Sequence, residues 1–319
     1  MTYREAGVDL SGAGRHIDNI SESVRSTWTK AVVGGFGDFA AGVELPSDLD
    51  DPILMMSTDG VGTKLDLARR SGIWEGVGFD LVAMCVDDLA AVGARPLGFV
   101  DYMAVGALDP TRDKTIVDSI ARACTAAGCP LLGGETAEHP GVMEPDAVDL
   151  AGAVMGVVER EERFDPASVT AGDVVIGLMS PNLRSNGFSL VRHVFGDEDD
   201  YSLLLEPSVI YSPAVLEHAG VIKSAAHITG GGLPGNVPRA LPPGLGVTID
   251  PGAWDPPGVF DLIADRGVER DEMFTTFNMG IGFCVITTEA EADTLASGLS
   301  AHQARVIGRV TDTGIFELR

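Results

Sequence analysis

The residues best suited to chemistry fall into short, widely spaced runs. Asp59-Gly-Val-Gly-Thr-Lys64 follows Ile53–Thr58, an apolar segment that reads as a buried strand. A carboxylate at a strand end, with two glycines and a Lys beside it, suits a metal–phosphate site. Mg2+ commonly takes one or two carboxylates and completes its shell with water and phosphate oxygen. The same Asp-Gly pair equally suits a tight turn. Asp87 and Asp88 interrupt an otherwise apolar helix face, and a carboxylate placed there needs a partner. Glu135 stands in Gly133-Gly-Glu-Thr-Ala-Glu138, again after a strand. Several carboxylates at strand ends suit a polynuclear Mg2+ cradle, and a strongly acidic chain holds polyphosphate most readily through metal ions.

Three further runs point to anions or ligands. Gly34, Gly35 and Gly37 let backbone N–H groups approach phosphate. The loose G-x-G-x-x-A match over 35–40 lacks a preceding strand, and Pro46 follows too soon for a good helix, which argues against a Rossmann site. A ligand-covering loop and a plain surface turn both remain open. Ser185-Asn-Gly-Phe-Ser189 precedes an apolar helical run, where it either caps the helix or offers N–H groups to phosphate. His227-Ile-Thr-Gly-Gly-Gly232 combines a hydrogen-bonding imidazole with a backbone that a ligand can approach; a structural His is the alternative. His16, His139, His193, His218 and His302 carry no functional reading, and Met273–Gly280 reads as core. No G-x-x-x-x-G-K-[ST] run is present, which excludes the P-loop class.

The elements that position these runs follow from periodicity. Apolar residues at 81, 82, 85, 86 and 89 predict a helix over 80–91. Strands are predicted over 97–105, from 130 and over 149–158, with a helix over 111–127 closed by Gly128. Residues 1–50 are Gly-rich and polar with few periodic runs. The charged, Pro-closed segment near 159–172 predicts a boundary between a domain at 1–160 and one at 170–319. In the second half, strands are predicted over 174–179, 225–228, 247–249, 276–286 and 304–310. Helices are predicted over 187–194, 212–220 and 289–299, and 197–200 reads as an acidic loop. Strands and helices alternate in both halves, so the fold class is mixed α/β with two domains.

Composition bounds the partners. The 319 residues carry 22 Lys plus Arg against 47 Asp plus Glu, a net charge of −25, and Lys30, Lys64, Lys114 and Lys223 are the only lysines. Nucleic acid and anionic membranes need a basic patch, so neither is an expected partner. Self-repulsion of this size is relieved in concentrated salt, where the Debye length falls to about 3 Å at 1 M. The scarcity of Lys makes the composition read as a halophile's, with an ordinary acidic cytosolic protein as the alternative. No run of 18 apolar residues predicts a membrane span. The four cysteines, at 85, 124, 129 and 284, form no C-x-x-C pair and are expected as buried thiols. The N-terminus lacks a charged-then-apolar leader pattern, and the expected location is cytoplasmic.

Together these segments resemble the phosphoribosylformylglycinamidine cyclo-ligase (AIR synthetase) family over nearly the whole chain. The resemblance runs through Ala6–Asp9, Gly34–Gly37, Thr58–Lys64, Asp80–Leu89, Gly133–Glu138, Ser185–Arg192, His227–Gly232, Asn236–Pro242 and Glu272–Asn278. It implies a homodimer formed through the first domain, with ATP near the interface and Mg2+ held by Asp59, Asp88 and Glu135. It implies nucleotide contacts from Gly34, Gly35, Gly37, Asp59, Gly60, Thr63, Lys64, Asp88, Gly133, Gly134 and Glu135. It implies substrate contacts from Arg184, Ser185, Asn186, Gly187, His227, Thr229 and Gly230, with His227 and Lys64 as catalytic candidates. The implied reaction is ATP-dependent cyclisation of formylglycinamidine ribonucleotide, with a small-molecule phosphotransferase of the same superfamily as the alternative. Two departures stand out. Leu183-Arg184 replaces a frequent Pro-His, and Ser21 stands near a frequent Lys; Arg184 suits a ribose phosphate.

Overall fold

The computed structural model describes residues 10–196 and 199–319. Ala6–Asp9 and the start of the acidic loop at Asp197 and Glu198 lie outside the described residues. The chain divides into two compact units, though not by a single cut. The first comprises Met1–Val86, Pro96–Val157 and Asp197–Ile210; the second comprises Asp87–Arg95, Val158–Gly196 and Tyr211–Arg319. Both are mixed α/β.

The first unit holds α1 (Leu10–Ser26), the two-residue strands β1 (Val32–Val33) and β2 (Gly42–Val43), β3 (Pro52–Gly60), α2 (Lys64–Ser71), most of α3 (Val77–Ala90), β4 (Arg95–Val105), α4 (Pro110–Ala126), β5 (Leu131–Glu138) and β6 (Val148–Glu159). A four-stranded sheet runs in the order β3-β6-β4-β5, with β4 and β5 parallel. Helix α4 starts where its sequence dictates. Asp109 accepts hydrogen bonds from the Thr111 and Arg112 amides at 2.9 and 3.0 Å, and Pro110 opens the first turn. Gly78 lets α3 approach α4, since a Cβ there would lie 2.1 Å from the Ile120 nitrogen.

Helix α1 lies in the segment read as having few periodic runs, although Ile17, Ile20 and Val24 recur at helical spacing. They make a thin apolar stripe in a polar, Gly-containing segment, and the helix is stabilised by packing on α4 and β5. The Gly133–Glu138 run also lies within β5 and not beyond it. One face of the sheet buries Phe99 and Met103, while Leu54, Met56, Val100 and Tyr102 alternate with the inward residues and stay exposed.

The second unit holds β7 (Val174–Met179), α5 (Phe188–Val194), α6 (Ser212–Glu217), β8 (Ser224–His227), α7 (Gly232–Asn236), β9 (Gly246–Ile249), α8 (Val259–Ala264), α9 (Arg270–Thr276), β10 (Ile281–Thr287), α10 (Glu289–Gly298), β11 (Arg305–Thr311) and β12 (Phe316–Leu318). Its six-stranded sheet has the order β12-β9-β11-β7-β10-β8. Central β10 is antiparallel to β7 and β8, and every residue of it is buried. The strand expected over 276–286 starts at Ile281, because α9 runs to Thr276 and the chain turns through Met279 and Gly280 at φ 48° and 88°. The four cysteines are buried free thiols. Among the described residues no helix is long and apolar enough to cross a membrane.

Candidate functional site

In the first unit, the glycine-rich segments converge on one cavity of about 530 Å3. Gly35 and Gly37 enter it from the loop after β1, and Gly133, Gly134 and Glu135 from β5. The loop is shaped by Gly34 and Gly37 at φ 102° and 93°, and by Asp38, whose carboxylate accepts from the Gly35 amide at 2.6 Å. Two residues the sequence did not single out close the cavity. His16 is buried on α1, its Nε2 3.1 Å from Thr136 Oγ1, and burial lowers its pKa. Asp101 on β4 lies under Gly134, where a Cβ would come within 2.2 Å of its Oδ1. Burial pushes the Asp101 carboxyl up to about 7. The period-2 pattern of β4 puts residue 101 on the face of Phe99 and Met103, a polar break that could have flagged it.

The Asp59–Lys64 run forms the turn from β3 into α2. Asp59 Oδ1 accepts from the Gly60 amide at 2.7 Å, and Gly62 takes φ 70°. Thr63 sits at the helix start and makes no side-chain cap there. Lys64, expected as a nucleotide contact and catalytic candidate, lies in a buried ion pair. Its side chain is fully buried, paired with Asp80 at 2.8 Å, and Nζ donates to the Glu206 carbonyl at 2.8 Å. Asp80 in turn accepts from the Ser208 amide and hydroxyl at 3.0 and 2.6 Å. Burial pushes the Asp80 carboxyl up, against the opposing pull of Lys64 and Ser208. A lysine held in this way has its charge compensated by a buried carboxylate. Asp80 was legible in principle, standing seven residues before Asp87 on the same helical face.

Of the three expected carboxylates, Asp59 and Glu135 belong to the first unit and Asp88 to the second. Asp59 and Glu135 lie on the two edge strands, β3 and β5, of the four-stranded sheet. Among the described residues no group of three or more His, Cys, Asp or Glu side chains is placed to hold a metal ion. The donors still fit Mg2+ individually. Asp59 and Glu135 are exposed, Asp88 is half-exposed, and each presents the hard oxygen that Mg2+ takes alongside water and phosphate.

In the second unit, four charged or titratable side chains form a continuous chain. Asp87 is fully buried and accepts from the Tyr211 and Ser212 amides, both at 2.9 Å. Arg184 Nη2 donates to Asp87 Oδ2 at 2.6 Å. Arg184 Nη1 donates to His227 Nε2 at 2.6 Å and to the Gly282 carbonyl at 3.1 Å. A guanidinium only donates, so Nε2 accepts and Nδ1 carries the proton. His227 Nδ1 therefore donates to Asp88 Oδ1, 2.9 Å away. Arg184, expected to meet a ribose phosphate, is fully buried, and both nitrogens of His227 are engaged. The sequence expectation that Asp87 and Asp88 need partners is met by two residues about 100 and 140 positions away.

The remaining substrate-side candidates come together around these groups. Gly187 precedes α5 at φ 81°, and a Cβ there would strike the Phe277 ring at 2.2 Å. Asn236 Nδ2 ties the loop after β8 by donating to the Thr229, Gly230 and Gly232 carbonyls at 3.3, 3.2 and 2.9 Å. A Cβ on Gly230 would lie 3.6 Å from Asn186 Oδ1, so the Ser185–Gly187 and Thr229–Gly230 segments are neighbours.

Comparisons with known proteins cover the whole of this architecture. Residues 37–158 match the N-terminal domain of AIR synthase related proteins, and residues 170–319 match their C-terminal domain. A Sorangium cellulosum phosphoribosylformylglycinamidine cyclo-ligase is 43% identical over 98% of this chain and 96% of its own. A Synechococcus protein of the same name is 45% identical over 98% and 96%. Among solved structures, the hydrogenase maturation protein HypE in complex with ATP superimposes with a TM-score of 0.68 at 19% identity, covering 96% of this chain and 87% of that one. At that identity the likeness shows a shared fold.

Proposed function

Because the chain belongs to the phosphoribosylformylglycinamidine cyclo-ligase family, we propose that it closes the imidazole ring of formylglycinamidine ribonucleotide at the expense of ATP, giving aminoimidazole ribonucleotide, ADP and phosphate. The observation that carries this reading is identity above 40% along 98% of the chain, to relatives that it spans almost end to end. The substrate's amide oxygen takes the γ-phosphoryl group, the amidine nitrogen attacks the activated carbon, and phosphate leaves. The cyclisation is intramolecular, so the protein's main tasks are positioning and charge stabilisation.

The residues divide these tasks between the units. In the first, Gly35, Gly37, Gly133 and Gly134 line a cavity with backbone exposed to a ligand, which suits nucleotide phosphate. Asp59, Asp88 and Glu135 are each candidate oxygen donors for Mg2+, which when bound would neutralise triphosphate charge. In the second, Ser185, Asn186, Gly187, Thr229 and Gly230 offer amides and small side chains to the ribonucleotide. A homodimer fits the exposed apolar face of the first unit's sheet, where Leu54 and Met56 are 51% and 75% exposed.

The test is the purified protein with formylglycinamidine ribonucleotide, ATP and Mg2+ in concentrated KCl, with products identified by mass. A closed ring with one free phosphate per ADP is expected. A stable phosphorylated product without ring closure would assign a phosphotransferase instead.

A further inference from the structure

The Asp87–Arg184–His227–Asp88 chain is built with more constraint than a stability role requires. Arg184 adopts φ 60°, a left-handed conformation that a residue with a Cβ rarely takes. The conformation is held locally: the Arg184 amide donates to Asn182 Oδ1 at 2.9 Å, and Asn278 Nδ2 donates to the Asn182 carbonyl at 3.0 Å. A single arginine then spans three acceptors, on Asp87, His227 and Gly282. Tyr211 packs its ring 4.9 Å beneath the guanidinium, and Phe283 stands 6.1 Å from the His227 ring. Every member is buried except the last: the Asp88 side chain is 44% exposed. The ordered groups thus converge on one accessible carboxylate.

From this geometry we propose that Arg184 and His227 are positioning residues that fix the rotamer of the Asp88 carboxylate. The inference rests on the reading of Asp88 as a ligand of the metal–nucleotide complex. Arg184, anchored on Asp87, donates to Nε2 and so sets the His227 tautomer and ring plane. The Nδ1–H so fixed holds Asp88 Oδ1, and the carboxylate meets its cation without first losing rotamer freedom. A neutral imidazole between a fixed donor and a carboxylate is the means by which outer groups orient a metal-binding oxygen, and removing such a group commonly costs 10–100-fold in metal affinity or activity.

The test reads Mn2+ binding in the presence of ATP, from the electron paramagnetic resonance signal of free Mn2+, and needs no turnover. His227→Phe keeps the ring volume and loses the donor; it should weaken Mn2+ binding about 10-fold. His227→Asn restores an N–H at the position of Nδ1 and should recover most of that loss. Asp88→Asn should weaken binding at least as much as His227→Phe. Imidazole nitrogen resonances should show the Nδ1–H tautomer for His227 in the wild type and a tautomer mixture in Arg184→Met. If Arg184→Met does not fold, the two His227 variants decide the matter alone. Wild-type Mn2+ affinity in a folded His227→Phe, beside a weakened Asp88→Asn, overturns the positioning role. Wild-type affinity in Asp88→Asn overturns the reading of Asp88 and this inference with it. Cyclisation is assayed separately, so loss of either reading leaves the other result legible.

Discussion

Asp101 sets up a pH dependence of stability that a single atom exchange should remove. Its carboxyl rises from an ordinary 3.8 to about 7, and the dominant cause is desolvation where it lines the cavity, half-buried on β4. A carboxyl whose folded value lies above its unfolded value binds its proton more tightly in the native state. Its contribution to stability is complete below 3.8 and is lost as pH rises through about 7. The full span of about three pH units at 1.36 kcal/mol each gives about 4 kcal/mol as the upper limit. Integrated between about pH 5 and pH 8, the loss is about 2–3 kcal/mol. Asp101→Asn keeps the shape and cannot ionise. Urea unfolding of both proteins at pH 5 and pH 8 in concentrated KCl isolates the effect, because every other carboxylate is common to the two. The wild type should lose about 2–3 kcal/mol more than the variant over that interval. Parallel pH dependences in the two proteins would refute the claim that Asp101 is desolvated.

Lys64→Met strands Asp80 without its cation and should cost about 3–5 kcal/mol in urea unfolding, with turnover per folded molecule close to wild type; a large loss of turnover at full folding would return Lys64 to the active site. Met56→Glu puts a charge on the exposed sheet face and should convert a sedimenting dimer of the 33.3 kDa chain into monomer, whereas an unchanged dimer would move the interface elsewhere. The melting temperature should climb between about 0.1 M and 2 M KCl as self-repulsion is screened, and a flat or falling curve would sink the halophile reading.

Local patterns along the chain specify the α/β class, most of the strands and long helices, and the segments that carry the chemistry. These are local signals: period-2 and period-3.6 apolar patterns, an Asp-Pro helix start at 109–110, and glycines wherever the backbone turns or is approached. Helix α1 carries helical spacing at Ile17, Ile20 and Val24, but within a polar, Gly-containing segment that masks it. The sequence also showed that Asp87 needed a partner, without showing which. Only the tertiary structure decided that Arg184 supplies it, and that His227 hands the constraint on to Asp88. The same holds for Lys64, which reads as a phosphate ligand beside two glycines and folds into a sealed ion pair with Asp80. Asp59 and Glu135 each follow an apolar run and look equivalent in sequence; strand order sends them to opposite edges of the sheet. The physical reason is common to all of these cases. Residue type and spacing set what a side chain can do, but burial and pairing depend on which distant segments the sheet order brings alongside it, and no local pattern encodes that.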